Sequence, residues 1–400
     1  VSDKNNKTLR PGWRRVKFGD VVRLSKARSQ DPLADGIERY VGLEHLEPGD
    51  LRIRSWGSVA DGVTFTSVFQ PGQVLFGKRR AYQRKVAVAN FSGVCSGDIY
   101  VLETKDAQVL LPQLLPFICQ TDAFFDHAVG TSAGSLSPRT NWTSLADFEF
   151  ALPPQDEQES LVRLLRNATD AAQAQENCIK AAKGLLQSFK NEAIGNNNAG
   201  IAKDVLLGDV LLGSPDSGCS APPRDADTGY FVLGLAALSR HGYVTGDFKP
   251  VEPTSKMLSA KLSKGDLLIS RSNTPDRVGY VGIFDDERDD VSFPDTMMRM
   301  KPSPAVIDPI YLEAVLQTTS AREFLMRIAA GTSASMKKIN RANLLKMPFR
   351  LPSLEAQRAA LEQLHSLRAT VLLQRGRLAA TRSLITQISA AALAGGQKNV

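Results

Sequence analysis

Apolar residues recur at alternating steps of four and three through two stretches of this chain. The first runs Leu161, Leu165, Ala168, Ala172, Gln175, Ile179, Ala182, Leu186, Phe189, Ala193. The second runs Ala360, Leu364, Leu367, Val371, Gln374, Leu378, Thr381, Ile385, Ile388, Ala392. That spacing is a heptad seam, the pattern of helices that pack by knobs into holes. The two are one segment written twice. An offset of 199 residues maps each position onto its copy without a gap; Leu152-Pro153 recurs as Leu351-Pro352, and Gln158 returns as Gln357. A lone amphipathic helix lying on a globular core would account for either copy, but not for the shared register or the polar Gln at the same step. The pattern predicts two long helices, Pro153 to Ile194 and Pro352 to Leu393, packed on each other. Asp156-x-x-Glu159 behind Pro153-Pro154 fits a capping box, and Ser353 is the candidate cap of the second helix. Gly195 to Gly200 and Gly395-Gly396 are the stop signals.

Outside the helices the period shortens. After a polar leader, residues 1–12, Val16-Lys17-Phe18-Gly19-Asp20-Val21-Val22 opens a folded unit and is echoed by Val205 to Leu211. Pro71 to Phe76 is echoed by Lys264 to Ile269, and Val86 to Ala89 by Val278 to Ile283. These are short β-like runs broken by Gly, Pro and Asp. Leu110 to Val129 and Pro309 to Ala330 then turn helical. Each ends in a Gly-Thr-Ser-Ala turn, at Gly130 and Gly331, and a further strand (Phe148 to Leu152; Pro348 to Leu351) leads into each long helix. The expected organisation is a globular unit over 1–152, a long helix over 153–199, a second unit over 200–351 and a second helix over 352–400. The fold class is α+β, two tandem α/β domains with two long helices between and after them.

Composition narrows the chemistry. The 400 residues exceed one ordinary domain, and 42% hydrophobic with 23% charged content is that of a globular protein. A net charge of +7 favours a polyanionic partner. Cys95, Cys119, Cys178 and Cys219 are scattered, without a CxxC, and read as reduced, buried or incidental thiols of a cytoplasmic protein. No signal peptide is visible, and the most apolar run, Val109 to Ile118, holds two prolines and cannot span a bilayer, so no membrane partner is expected. No phosphate-cradling GxxxxGK[ST] loop and no GxGxxG are present. His45, His127, His241 and His365 stand far apart, outside any metal spacing. Asp98 with Glu103-Thr104-Lys105 has the look of a nuclease's acidic pair and lysine, but the matching stretch at Asp295 lacks the second acid, so it reads as a strand ending in charge. Trp13 and Trp142 read as core. No catalytic and no metal-binding residue is assigned.

Basic residues are placed more tellingly. Lys78-Arg79-Arg80-Ala81-Tyr82-Gln83-Arg84-Lys85 joins two β-like runs, and Arg271-Ser272-Asn273-Thr274-Pro275-Asp276-Arg277 occupies the same place in the second copy, with Lys78 matching Arg271 and Arg84 matching Arg277. A second cationic loop follows each Gly-Thr-Ser turn: Ser137-Pro138-Arg139-Thr140-Asn141, and Lys337-Lys338-Ile339-Asn340-Arg341. Guanidinium and ammonium groups suit phosphates and the O6/N7 edge of guanine, and carboxamides suit adenine. A solvated hairpin tip would explain one such loop. Its repetition points to DNA, with candidate contacts at Lys78, Arg79, Arg80, Gln83, Arg84, Lys85, Arg139, Asn141, Arg271, Asn273, Thr274, Arg277, Lys337, Lys338, Asn340 and Arg341.

In this order, twice over, the motifs resemble a type I restriction-modification specificity subunit. Gly130-Thr131-Ser132, the strand Phe148 to Leu152, Pro153-Pro154 and Glu157-Gln158 match that family's junction. The second copy departs from it at Ser353 and Ala356-Gln357. Gly265-Asp266-Leu267-Leu268-Ile269-Ser270-Arg271 matches the strand before the family's DNA-facing loop. The resemblance implies two target recognition domains, and long helices forming an antiparallel coiled coil. It implies a non-catalytic subunit that binds double-stranded DNA at an asymmetric bipartite target. Two methyltransferase subunits and restriction subunits would be its partners, and S-adenosylmethionine, ATP and Mg would belong to them, not to this chain. The rival readings are the recognition partner of a related methylation system without restriction subunits, a nuclease or methyltransferase in one chain, and a pure coiled-coil scaffold. Arg163, Arg166, Lys180, Arg368 and Arg375 flank the seams and are the expected partner contacts. The 33-residue seam is about 50 Å long at ~1.5 Å per residue, which suits half-sites about one DNA turn, roughly 34 Å, apart.

Overall fold

The structure, a computed structural model, describes residues 9–195, 202–331 and 336–393. The first eight residues of the leader, the Gly195 to Gly200 stop beyond its first residue, Thr332 to Ala334 of the second turn, and Gly395-Gly396 lie outside the described residues. The chain divides into two compact units. One joins the chain up to Glu176 with the chain from Gly376; the other is Asn177–Arg375.

In the first unit the strand Arg14–Lys17 pairs antiparallel with Glu149–Leu152, Val16 opposite Phe150. The apolar run predicted from Val16 to Val22 is not one strand. It breaks at the helical turn Phe18–Val21 before the strand Val22–Leu24. Gly19 permits the break, because a Cβ there would lie 2.6 Å from the Ala146 Cβ. The central strand Val74–Gly77 lies between Ile99–Thr104 and Val86–Val88 in a four-stranded antiparallel sheet. Its run is apolar throughout because both faces are covered. Val74 and Phe76 enter a core with Phe18, Leu102, Leu115 and Phe124. Leu75 enters another with Val41, Phe69 and Ala87. A second sheet carries Arg39–Val41 parallel to Gly93–Cys95.

The second unit repeats each device. Lys203–Leu206 pairs with Pro348–Leu351, Val205 opposite Phe349. Leu267–Ser270 is held between Met297–Met300 and Val281–Ile283. Leu267 and Ile269 face one core and Leu268 the other. Phe231–Leu233 runs parallel to Val291–Ser292. Both predicted helical stretches split in two at a threonine. Thr121 caps Asp122–Gly130, and Thr318 caps Thr319–Ile328, each accepting a hydrogen bond from a backbone N–H of the new first turn.

The long helices span Gln155–Phe189, followed by a π turn to Gly195, and Leu354–Leu393. Every residue of both predicted seams is partly or fully buried. In the first unit Leu161 and Leu165 pack near Ala392 and Leu393, while Glu176 binds Arg382 at 2.8 Å. Low numbers on one helix thus meet high numbers on the other, and the pairing is antiparallel. In the second unit Leu186 and Phe189 share a core with Ala360, Leu361 and Leu364. Ser353 caps the second helix by accepting from Ala356 N–H at 3.3 Å. The first helix begins at Gln155, so the capping box expected at Asp156 does not form at its N-cap; Asp156 and Glu157 lie inside the first turn, where their charge suits the helix dipole.

The repeated glutamine is a staple. Gln158 is 2% exposed; it accepts from Leu111 N–H at 2.9 Å and donates to the carbonyls of Val109 (2.9 Å) and Pro153 (3.0 Å). Gln357 is 0% exposed and makes the same three bonds, to Asp308, Val306 and Pro352. Each amide ties the loop before the paired short helices to the start of a long helix.

One expectation changes. Arg368, expected on an outward face, turns inward to the buried Glu313 carboxylate at 3.4 Å, whereas Arg163, Arg166, Lys180 and Arg375 are exposed. Among the cysteines Cys95 and Cys119 are buried and Cys178 is exposed. Burial pushes the Cys95 thiol up to about 12, which makes it inert.

Candidate functional site

The two cationic loops of each unit, more than fifty residues apart in sequence, lie side by side. In the first unit Arg79 and Arg139 form an antiparallel bridge, Arg80 N–H donates to the Pro138 carbonyl at 2.7 Å, and Thr140 N–H donates to the Lys78 carbonyl at 3.0 Å. In the second, Ser272 stands opposite Lys338 and Asn273 opposite Lys337. The loop leaving the central strand meets the loop after the helical pair at the same point of both units. This pairing is what the sequence reading missed: it is a long-range backbone contact with no local signature.

The first unit's loop supplies most of its own counter-charge. Asp98, just before the strand Ile99–Thr104, accepts from Arg79 at 3.2 Å and from Arg139 at 2.8 Å. Arg79 and Arg80 both reach the Ser137 hydroxyl, at 3.1 and 3.3 Å. Arg84 pairs with Asp122, donates to the Gln120 carbonyl at 3.2 Å and lies 4.7 Å over the Phe125 ring. Lys85 donates to the Leu43 carbonyl at 2.7 Å, and Lys78 sits 4.7 Å over Tyr100. Lys78, Arg79, Arg80, Gln83, Arg84 and Lys85 are all half-buried, and Arg139 is exposed. The self-repulsion expected of this loop is therefore met within the chain, by Asp98 and Asp122. Asn141 is exposed, and its side-chain oxygen caps the helix Trp142–Ala146.

The second unit's loops present more charge to solvent. Arg277, Lys338 and Arg341 are exposed, and Thr274 is exposed with its hydroxyl on Asp276. Arg341 reaches the Ser217 hydroxyl, Lys337 donates to the Gly331 carbonyl at 2.8 Å, and Asn340 caps Arg341–Leu345. Asn273 is buried; its amide donates to Ser270 Oγ at 3.2 Å and its oxygen accepts from Thr274 N–H. Its carboxamide is engaged internally. The Nε–H groups of Arg79, Arg80 and Arg271 are buried without a hydrogen-bond partner. Such groups are uncommon in folded proteins, and here they fall at matching loops of the two units.

The acidic pair noted in the sequence has separate duties. Asp98 binds the two arginines, whereas Glu103 binds Arg23 at 2.8 Å and Gln73 at 2.6 Å. Trp13 is buried, with its indole N–H on Glu157, and Trp142 packs beside Phe18 and Tyr100. Among the described residues no group of three or more His, Cys, Asp or Glu side chains is placed to hold a metal ion, and no helix is long and apolar enough to cross a membrane.

Two units of one plan, each with a sheet, a helical pair and a paired basic loop, followed by long helices that pair antiparallel, define an α+β tandem-domain fold. That fold is found in solved chains of type I restriction-modification systems. One, from work on complex assembly and conformational transition of the type I system, aligns over 98% of this chain and all of its own, with a TM-score of 0.65 and 19% identity. Another, a type I restriction-modification S subunit from M. genitalium, covers 98% of both chains with a TM-score of 0.53 and 11% identity. In sequence, the Type I restriction enzyme EcoDI specificity subunit of Escherichia coli is 30% identical over 161 residues, 38% of this chain and 33% of that protein. The match thus spans a third of the relative's length. No family model matches the chain. The resemblance to type I specificity subunits read from the motifs holds in both sequence and fold.

Proposed function

We propose that this chain is the DNA-recognition subunit of a type I restriction-modification complex. Each unit reads one half of a bipartite target through its paired basic loops, and the long helices carry the contacts to two methyltransferase subunits, with restriction subunits joining them. The chain itself is non-catalytic, and S-adenosylmethionine, ATP and Mg are bound by its partners. One observation carries the reading: the same pairing of two cationic loops recurs at the same point of both units. A structural ornament could occur once. Two copies with different side chains (Arg79 and Arg139 in one, Ser272 and Lys338 in the other) are what a pair of readers with different half-sites requires. The functional reading of the curated relative and of the solved folds supports it.

The exposed cations of the second unit give the test. Arg277→Ala and Lys338→Ala, assembled with the methyltransferase subunits, should each weaken binding to specific and scrambled duplexes alike. Each should lower the slope of log affinity against log salt by about one. Full affinity and an unchanged slope in the double variant would remove this loop pair from the DNA interface.

A further inference from the structure

The basic residues of the first unit's loop are fasteners, and what they fasten is a tyrosine. Between Lys78 and Lys85 the chain makes a single 3-10 turn, Ala81–Gln83. It is flanked by the only two described non-glycine residues with positive φ, Arg80 at 53° and Arg84 at 55°. For residues with a Cβ this left-handed conformation is unfavourable and persists only where surroundings enforce it. The surroundings do so here. Arg80 is tied to Ser137 by its side chain and to Pro138 by its backbone. Arg84 is tied to Asp122, the Gln120 carbonyl and the Phe125 ring. Ala81 is buried beneath the turn at 2% exposure. Of the eight residues only Tyr82 is exposed, at 55%. Across the loop pair, Leu136 is 89% exposed on the facing loop, three residues before Arg139. An aromatic and an aliphatic side chain left in water on a strained, heavily braced, cationic pair of loops cannot be explained by the unit's own packing.

We propose that Tyr82 is a specificity-determining residue of this half of the site, whose ring stacks on an exposed or partly unstacked base step of double-stranded DNA. The proposal rests on the DNA-binding reading above and names the group that acts there. Cationic loops draw the phosphates in, and an apolar side chain held rigidly between them enters the groove. Apolar wedges in a basic setting act on DNA in this way, and aromatic rings gain from any base face. The rigid turn matters, because an ordered side chain loses little freedom on binding. In the second unit Pro275 stands at the matching position of its loop, so the stacking group belongs to one half-site only.

The experiment uses the full chain assembled with its methyltransferase subunits. The probes are a duplex carrying the sequence methylated in a host with the intact system, the same duplex with 2-aminopurine at successive steps of each half-site, and a scrambled duplex. Tyr82→Ala should lose about tenfold or more in preference for the specific duplex. It should also abolish a rise in 2-aminopurine fluorescence confined to one half-site, and lose less affinity for the scrambled duplex than for the specific one. Tyr82→Phe, which keeps the ring and removes only the hydroxyl, should retain most of the preference and the fluorescence rise. Equal losses in Phe and Ala variants would assign the contact to the hydroxyl and overturn ring stacking. No loss in Tyr82→Ala would overturn the proposal outright. If the wild-type assembly binds no duplex, the DNA-recognition reading itself falls, and the role of Tyr82 with it.

Discussion

Asp98 decides what two arginines can do. Burial works against its ionisation, but the hydrogen bonds from Arg139 and Arg79 outweigh that, and the carboxyl is held below its ordinary range. A carboxylate depressed in the folded state contributes its stability above the unfolded value and loses it as pH falls through the folded one. The clasp is therefore shut at neutral pH and opens only in acid. On the DNA-binding reading proposed above, holding both guanidiniums aside would limit their grip on indiscriminate phosphate. Asp98→Asn should free them, strengthen binding to a scrambled duplex by about three- to tenfold and steepen its salt dependence by about one to two contacts. Anisotropy titrations at several salt concentrations read this directly. An unchanged slope would mean that neither arginine reaches a phosphate. Nothing in the local sequence announces this role. Asp98 lies nineteen residues from Arg79 and forty-one from Arg139, so its neighbours in the chain suggest an acidic pair with Glu103 and hide the partners it has in space.

At the scale of elements, the parts read best from sequence are those whose physics is local. The long helices follow from a four-three spacing because a helix turns each such position to one side, and every seam residue is indeed covered. Ser353 acts as the cap its position implies. The capping box at Asp156 fails because the helix starts a residue before it. The cationic loops were visible as charge, but their pairing, their own-chain counter-ions and the burial of Asn273 were not, since each depends on contacts distant in sequence. Gln158 and Gln357 stand between these cases. Their repetition was plain, while their three-bond role needed the fold. Gln158→Leu removes all three bonds and leaves Leu111 N–H and two carbonyls unmet in a buried site. That should cost about 2–4 kcal/mol, as should Gln357→Leu. Denaturant unfolding measures it. A loss below about 0.5 kcal/mol in both variants would show that solvent replaces the amide without cost.

For the molecule as a whole, the function proposed above, with both units contributing to the two heptad helices, predicts a target whose two parts are separated by a set number of bases. Removing one heptad from each helix, around Ala168 and Leu367, keeps both seams in register and shortens each by about 10 Å. Assembled with its methyltransferase subunits, the altered chain should direct methylation to a site with a shorter spacer, or to none. Methylome sequencing distinguishes these from the outcome that rejects the idea, the original site modified at the original spacing. The two units share elements but differ in how the chain supplies them. Asn177–Arg375 is one uninterrupted stretch, whereas the first unit takes in the chain from Gly376 onward.

That discontinuity has a bearing on synthesis. Domains emerging from the ribosome fold as units, earlier segments first. Here the order is inverted. When Arg375 has been made, every residue of the second unit exists. The first unit, whose first segment ended at Glu176 some two hundred residues earlier, still waits for Ile385, Ile388 and Leu393 to cover Leu161 and Leu165. Through that interval its apolar seam is open to whatever else is nearby, a chaperone or a second nascent copy. The first-made half of the protein is the last to close.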